Sequence, residues 1–184
     1  MRIIAGSRKG RKLKPVNIPG IRPTSDRVRE AIFSILYQSV VEANVADLFA
    51  GTGAMGMEAL SRGAAHCVFV EGNPKALSLI NENLKHMDLE KNSQSLRWDA
   101  MKNLQCLKRT GLKFDLIFAD PPYALNAVED VLQVLAESDA LNPGAVVVFE
   151  SAANQGVVEK TGAFELTDQR KYGKTLVSFF RFML

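Results

Sequence analysis

From Val45 onward, short apolar runs alternate with stretches whose apolar residues recur at helical spacing. The runs predict strands near 45–50, 66–71, 94–98, 114–119 and 145–150, and the stretches between them predict helices near 54–62, 74–87, 100–109 and 126–137. Such alternation is the signature of successive βα units and a parallel sheet. Pro74 suits the first turn of its helix, and Asn142-Pro143-Gly144 punctuates the last helix-to-strand turn. The tail differs. Residues 163–170 and 175–183 read as two strands joined by Lys171-Tyr172-Gly173-Lys174, an antiparallel hairpin that brings the expected sheet to seven strands.

The first forty residues follow another pattern. Apolar pairs interleave with basic residues from Arg2 to Pro15, which predicts a small hairpin with Ser7-Arg8-Lys9-Gly10 at its tip. Pro19-Gly20 and Arg22-Pro23 then break regular structure. Thr24-Ser25-Asp26 offers helix-capping chemistry, and Val28, Ile32, Ile35, Leu36 and Val40 predict an amphipathic helix over about 26–41. The chain of 184 residues thus divides into a hairpin-and-helix extension, 1–42, and an α/β domain, 43–184.

Charge sharpens that division. Residues 1–30 carry nine Lys or Arg against Asp26 and Glu30, a balance of +7, while the rest of the chain carries fourteen basic and eighteen acidic residues, a balance of −4. A basic end on a mildly acidic body fits a polyanionic partner met at one edge, or a solvated arm that aids solubility. No apolar run approaches the ~20 residues of a membrane span, and the opening Met1-Arg2-Ile3-Ile4-Ala5-Gly6 has no secretory pattern, so a cytoplasmic protein without membrane contact is expected. Cys67 and Cys106 lack metal or redox spacing and read as free thiols, and no metal is implied.

Two motifs carry chemistry. The first is Asp47-Leu48-Phe49-Ala50-Gly51-Thr52-Gly53-Ala54-Met55-Gly56, between the first strand and its helix. Its glycines allow a tight turn and close approach to a ligand at a helix N-terminus, which implies an adenosine-bearing cofactor. Gly51, Gly53 and Gly56 also satisfy the dinucleotide fingerprint, with Glu71 at the position of a ribose-binding acid, so the glycines alone leave a nicotinamide cofactor open. Asp47 favours S-adenosylmethionine, because a carboxylate there repels a pyrophosphate and suits an ammonium and a sulfonium. Phe49 belongs to the same loop, and Asp99 and Ala100 close the third strand on the same sheet edge, where Asp99 suits an adenine amino group or a helix cap.

The second motif is Asp120-Pro121-Pro122-Tyr123, delivered by the apolar strand Phe114 to Ala119. Consecutive prolines remove two N–H donors and leave acceptors, the Asp120 carboxylate and the Pro121 carbonyl. Two acceptors gripping both hydrogens of an exocyclic base amino group hold its nitrogen in line with a methyl donor and stabilise the charge that develops there. Tyr123 offers a flat surface for an extruded base.

Together these motifs resemble motifs I and IV of amino-methyltransferases acting on DNA adenine or cytosine, or on RNA guanine. The opening, Ile3-Ile4-Ala5-Gly6, Arg8-Lys9-Gly10-Arg11-Lys12-Leu13 and Arg22-Pro23-Thr24-Ser25-Asp26-Arg27-Val28-Arg29-Glu30-Ala31-Ile32-Phe33, is similar to that of the RsmD family, bacterial small-subunit ribosomal RNA guanine-N2 methyltransferases. The resemblance spans the chain, with Ala31 standing where Thr is expected. It implies a class I methyltransferase fold, S-adenosylmethionine, and a guanine amino group of 16S ribosomal RNA in an assembling subunit as target. The two motifs point to direct methyl transfer from sulfur to nitrogen, and since no exposed apolar helix suggests an obligate dimer, a monomer is expected. Arg8, Lys9, Arg11, Lys12, Arg22 and Arg27 are then the expected RNA contacts, with Thr24 and Arg29 near the RNA and the cofactor entrance. A DNA adenine-N6 or cytosine-N4 methyltransferase is the nearest alternative, and a nicotinamide oxidoreductase a distant one.

Overall fold

The computed structural model describes residues 1–15, 18–21, 24–122, 127–153 and 160–184. Eight strands form one sheet: β1 (Asn44–Leu48), β2 (His66–Glu71), β3 (Ser93–Arg97), β4 (Phe114–Ala119), β5 (Leu141–Ala152), β6 (Lys160–Thr161), β7 (Phe164–Tyr172) and β8 (Thr175–Phe182). Their order is β3-β2-β1-β4-β5-β8-β7-β6. The first five run parallel, and β8, β7 and β6 pair antiparallel. The expected seven strands are all present, and two-residue β6 adds an edge. Helices α1 (Asp26–Leu36), α2 (Ala54–Ser61), α3 (Pro74–His86), α4 (Gln105–Lys108) and α5 (Ala127–Glu137) cover both faces.

Alternation along each strand sorts its side chains into two cores. Val45, Cys67, Phe69, Leu116, Phe118 and Val148 pack with α1, α2 and α3 on one face. Ala46, Leu48, Val68, Val70, Ile117, Val147 and Phe149 pack with α4 and α5 on the other. Burial on both faces explains why these strands read as continuous apolar runs. Sequential connections reverse direction between β1 and β4, and the crevice beyond the carboxyl ends at such a switch is where open α/β sheets bind ligands.

Local chemistry accounts for the helix ends. The Ser25 side chain caps α1 by accepting from Val28 N–H, and Asn73 caps α3 ahead of Pro74. Helix α1 stops at Leu36, short of the expected 41. Tyr37 takes φ 32° and a 3-10 turn carries the chain to Val40. The helix expected over 100–109 shrinks to Gln105–Lys108, because local polar groups claim the preceding backbone. Asp99 accepts from Met101 N–H, the Trp98 indole donates to Asn103 O, and Asn103 accepts from Gln105 N–H.

The basic hairpin is a closed turn with one bridge, Arg2 to Lys12, and a 3-10 turn at Gly6–Arg8. Ile3 and Leu13 insert into the α1–α2–α3 core. Buried Glu58 of α2 holds the turn down, accepting from Ile4 N–H (2.8 Å) and Ala5 N–H (3.0 Å). Arg29 and Arg62 pair with the same carboxylate at 3.6 and 2.8 Å.

Candidate active site

A cavity of about 490 Å³ opens at the switch point. The β1–α2 loop, the ends of β2 and β3, and the segment after β4 enclose it, with Ile21, Thr24 and Ile32 on the N-terminal side. Its polar character comes from strand parity. Asp47 of β1, Glu71 of β2, Asp120 just beyond β4 and Glu150 of β5 all fall on the α1–α2–α3 face of the sheet, and all four line the cavity.

Asp47 is buried, and its Oδ2 accepts from Gly56 N–H at 2.9 Å in the first turn of α2. A side chain on Gly56 has no room there, since a Cβ would lie 2.4 Å from the Phe69 ring and 2.6 Å from Cys67 Sγ. Gly53 enters α2 at φ 72°, a left-handed conformation costly for other residues, and a Cβ there would lie 2.9 Å from Met57. Gly53 therefore serves loop shape and packing, and it is absent from the cavity wall, unlike Asp47, Phe49, Gly51, Glu71, Asp99, Ala100 and Asp120. Phe49 holds φ 55°, a strained backbone for a bulky residue in a ligand-facing loop.

Glu71 joins two loops. One carboxylate oxygen accepts from Gly51 N–H at 2.8 Å and the other from Asn73 N–H at 2.7 Å. Each oxygen retains a further lone pair, enough for a diol. Asp99 accepts from Met101 N–H in the turn after β3 and also lines the cavity.

Burial dominates the electrostatics. It pushes the Asp47 carboxyl up to about 8, with Glu71, Asp120 and Glu150 adding repulsion and the Gly56 bond opposing. Burial likewise pushes Asp120 up to about 6 and Glu150 up to about 7, the latter against its bond from Thr24. Asp120 keeps accessible surface, but that surface meets the cavity, so its walls limit solvation of the charged form. No Lys or Arg stands among the described wall residues. A wall of five carboxylates, the four of the sheet face and Asp99, with no base among the described residues, disfavours a pyrophosphate and fits a cationic ligand. Repulsion from Asp47 alone is weaker than the sequence suggested, since burial raises its carboxyl to about 8 and so disfavours its charge at neutral pH.

Of the tetrapeptide, Asp120 and Pro122 line the wall, whereas Pro121 is buried and absent from it, which leaves only its carbonyl for the expected role. Tyr123 and Arg22 lie outside the described residues.

The basic residues separate into two groups. Arg8 donates to Met87 O (2.6 Å) and Asp88 O (3.2 Å) beyond the end of α3, and Arg11 pairs with Asp88 at 3.1 Å. Lys9, Lys12 and Arg27 are exposed and form no ion pair among the described residues. Arg29, expected near the RNA, is fully buried against Glu58, Asp26 and Arg2 O, because its long side chain secures the N-terminal turn to α1 and α2. It is not a surface contact.

Sequence reasoning missed Glu150. Its signal was parity: four apolar strand ends each carry an acid in the phase of one face, and β5 supplies the fourth. Thr24 Oγ1 donates to Glu150 Oε1 at 2.5 Å, joining the segment before α1 to the cavity wall.

The comparisons agree with this architecture. The family described as Conserved hypothetical protein 95 matches residues 1–181. YlbH of Bacillus subtilis (strain 168) is 37% identical over 181 residues, which cover 98% of each chain. Ribosomal RNA small subunit methyltransferase D of Escherichia coli (strain K12) is 35% identical over 157 residues, 85% of this chain and 77% of that one. The solved structure of yhhF from Escherichia coli superposes with a TM-score of 0.86 at 28% identity, covering 100% of this chain and 98% of the other. With its glycine loop, acid-lined switch-point cavity and antiparallel closing strands, the chain belongs to this family, that of the ribosomal RNA small subunit methyltransferases D.

Proposed function

We propose that the protein methylates the exocyclic N2 amino group of a guanine in small-subunit ribosomal RNA, using S-adenosylmethionine. The observation that carries this reading is Asp120, an acceptor set at the switch-point cavity in a wall of carboxylates. When bound, the cofactor supplies a methyl group on a positively charged sulfur. Glu71 would accept from its ribose hydroxyls, Asp47 would hold its ammonium, and Asp99 with Ala100 would meet the adenine. Asp120 then accepts a hydrogen bond from the amino nitrogen and stabilises its growing positive charge, while the Pro121 carbonyl accepts the second N–H and Tyr123 stacks on the ring. As the nitrogen–methyl bond forms and the sulfur–methyl bond breaks, the proton the nitrogen loses passes through Asp120 to solvent. Burial raises the Asp120 carboxyl only to about 6, so neutral pH favours the ionised form, in which both oxygens accept.

RNA affinity comes from Lys9, Lys12, Arg27 and Arg22, whose charges are sequence-blind, while the pocket selects the base. Names of the relatives support ribosomal RNA as substrate, and a partly assembled small subunit is the proposed form.

The test offers labelled S-adenosylmethionine with small-subunit particles from cells lacking this gene and, separately, unmodified duplex DNA. Label recovered as N2-methylguanine in ribosomal RNA is the expected result. Label in DNA adenine or cytosine would overturn the reading. Asp120→Ala should remove transfer to RNA while cofactor binding persists by calorimetry.

A further inference from the structure

Glu150 has no part in the chemistry above, yet it lines the same cavity as Asp120. Parallel pairing of Ala119 with Phe149 makes Asp120 and Glu150 the next neighbours across β4 and β5, on the same face. Adjacent strands lie ~4.8 Å apart, a span that two neighbouring N–H groups on one base edge can bridge. Thr24 Oγ1 donates to Glu150 Oε1, which fixes the carboxylate and leaves Oε2 without a partner among the described residues. This carboxylate is an acceptor held beside the acceptor that receives the amino group.

We infer that Glu150, positioned by Thr24, accepts the N1–H of the target guanine and so determines which base enters the site. The inference rests on the proposed guanine-N2 reaction. Guanine alone among the four bases places a ring N–H directly beside an exocyclic amino group. Adenine N1 and cytosine N3 are acceptors at the corresponding position, and would set a lone pair against the carboxylate. A site built to receive an N–H rejects an analogue lacking it far more strongly than an apolar pocket rejects a change of size.

The deciding probe is 2-aminopurine, which keeps the amino group and lacks the N1–H. Small-subunit particles are reconstituted with ribosomal RNA carrying either guanine or 2-aminopurine at the methylated position, and kcat/KM is measured on each. The wild type should prefer guanine by about 10²-fold or more. In Glu150→Gln the preference should fall by at least about tenfold, because the amide can donate to the unprotonated N1. Thr24→Val should lower the ratio and Thr24→Ser should retain it, which keeps the test open should the Glu150 variant fold poorly. An unchanged ratio in Glu150→Gln and Thr24→Val overturns the inference while leaving guanine methylation standing. So does loss of cofactor binding in Glu150→Gln, which would assign the residue to the cofactor. Methylation of adenine or cytosine by the wild type overturns both readings.

Discussion

Asp47 is the residue whose chemistry depends most on what occupies the cavity. Its side chain already receives the Gly56 N–H, and burial disfavours its charge at neutral pH. Asp47→Asn keeps an acceptor of the same shape, so the thermal midpoint of the free protein should hardly move. Cofactor affinity should fall about tenfold, the order of one charged hydrogen bond, by calorimetry. An unaffected affinity would remove Asp47 from the ammonium contact. Gly56→Ala presses a methyl against Phe69 and Cys67 and should cost about 1–3 kcal/mol in denaturant unfolding. At Asp120, Asp120→Asn keeps volume and loses negative charge, and a drop of about 10²–10³-fold in kcat is expected with little change in cofactor affinity. The Asp120 motif and the β1 acid were legible because each combines an unusual residue with a strand end. Glu150 was not, since an acid closing an apolar run looks like any solvated strand end until the neighbouring strand is known.

At the scale of elements, the N-terminal turn separates residues that hold structure from those left exposed. Arg8 satisfies carbonyls just past α3, where the helix leaves acceptors and partial negative charge. Arg8→Ala should speed amide exchange around Met87 and Asp88 and lower stability by about 1–2 kcal/mol. Lys9→Ala with Lys12→Ala should leave stability within about 0.5 kcal/mol. The same pair should weaken RNA binding and flatten its dependence on salt. Equal salt slopes for wild type and the lysine pair would count against the turn as an RNA contact. The strands and most helices were legible in the sequence, since periodicity reflects burial. The shortening of α1 and α4 was not, because Tyr37 and the Trp98–Asn103 bond act through backbone geometry that no apolar pattern encodes.

For the whole molecule, clustering of acids in one cavity sets the response to pH. Asp47, Asp120 and Glu150 have native proton affinities raised to about 8, 6 and 7. Between about pH 4, where the unfolded carboxyls titrate, and those values, the native state holds protons that the unfolded chain has released. The contribution of these groups to stability therefore falls as pH rises from about 4 to 8. Chemical denaturation of the ligand-free protein across that window should show the decline, superposed on smaller surface effects. Binding a cation favours the ionised forms, so calorimetry near pH 6.5 in buffers of different ionisation enthalpy should register net proton release. Heat independent of buffer would mean that the acids do not face the cation.

The buried Glu58 anchor bears on how a surface that reads only charge can help choose a nucleotide. Because one carboxylate on α2 grips the backbone of the N-terminal turn together with two arginines, Lys9 and Lys12 stand on a turn fastened to the helix that follows the β1 loop. Should the proposed contacts hold, the spacing between a phosphate at the turn and a base in the pocket would be built in. On the proposed reading the enzyme would work as a gauge, and an RNA whose fold does not match that span would leave one end unengaged however well its base fits.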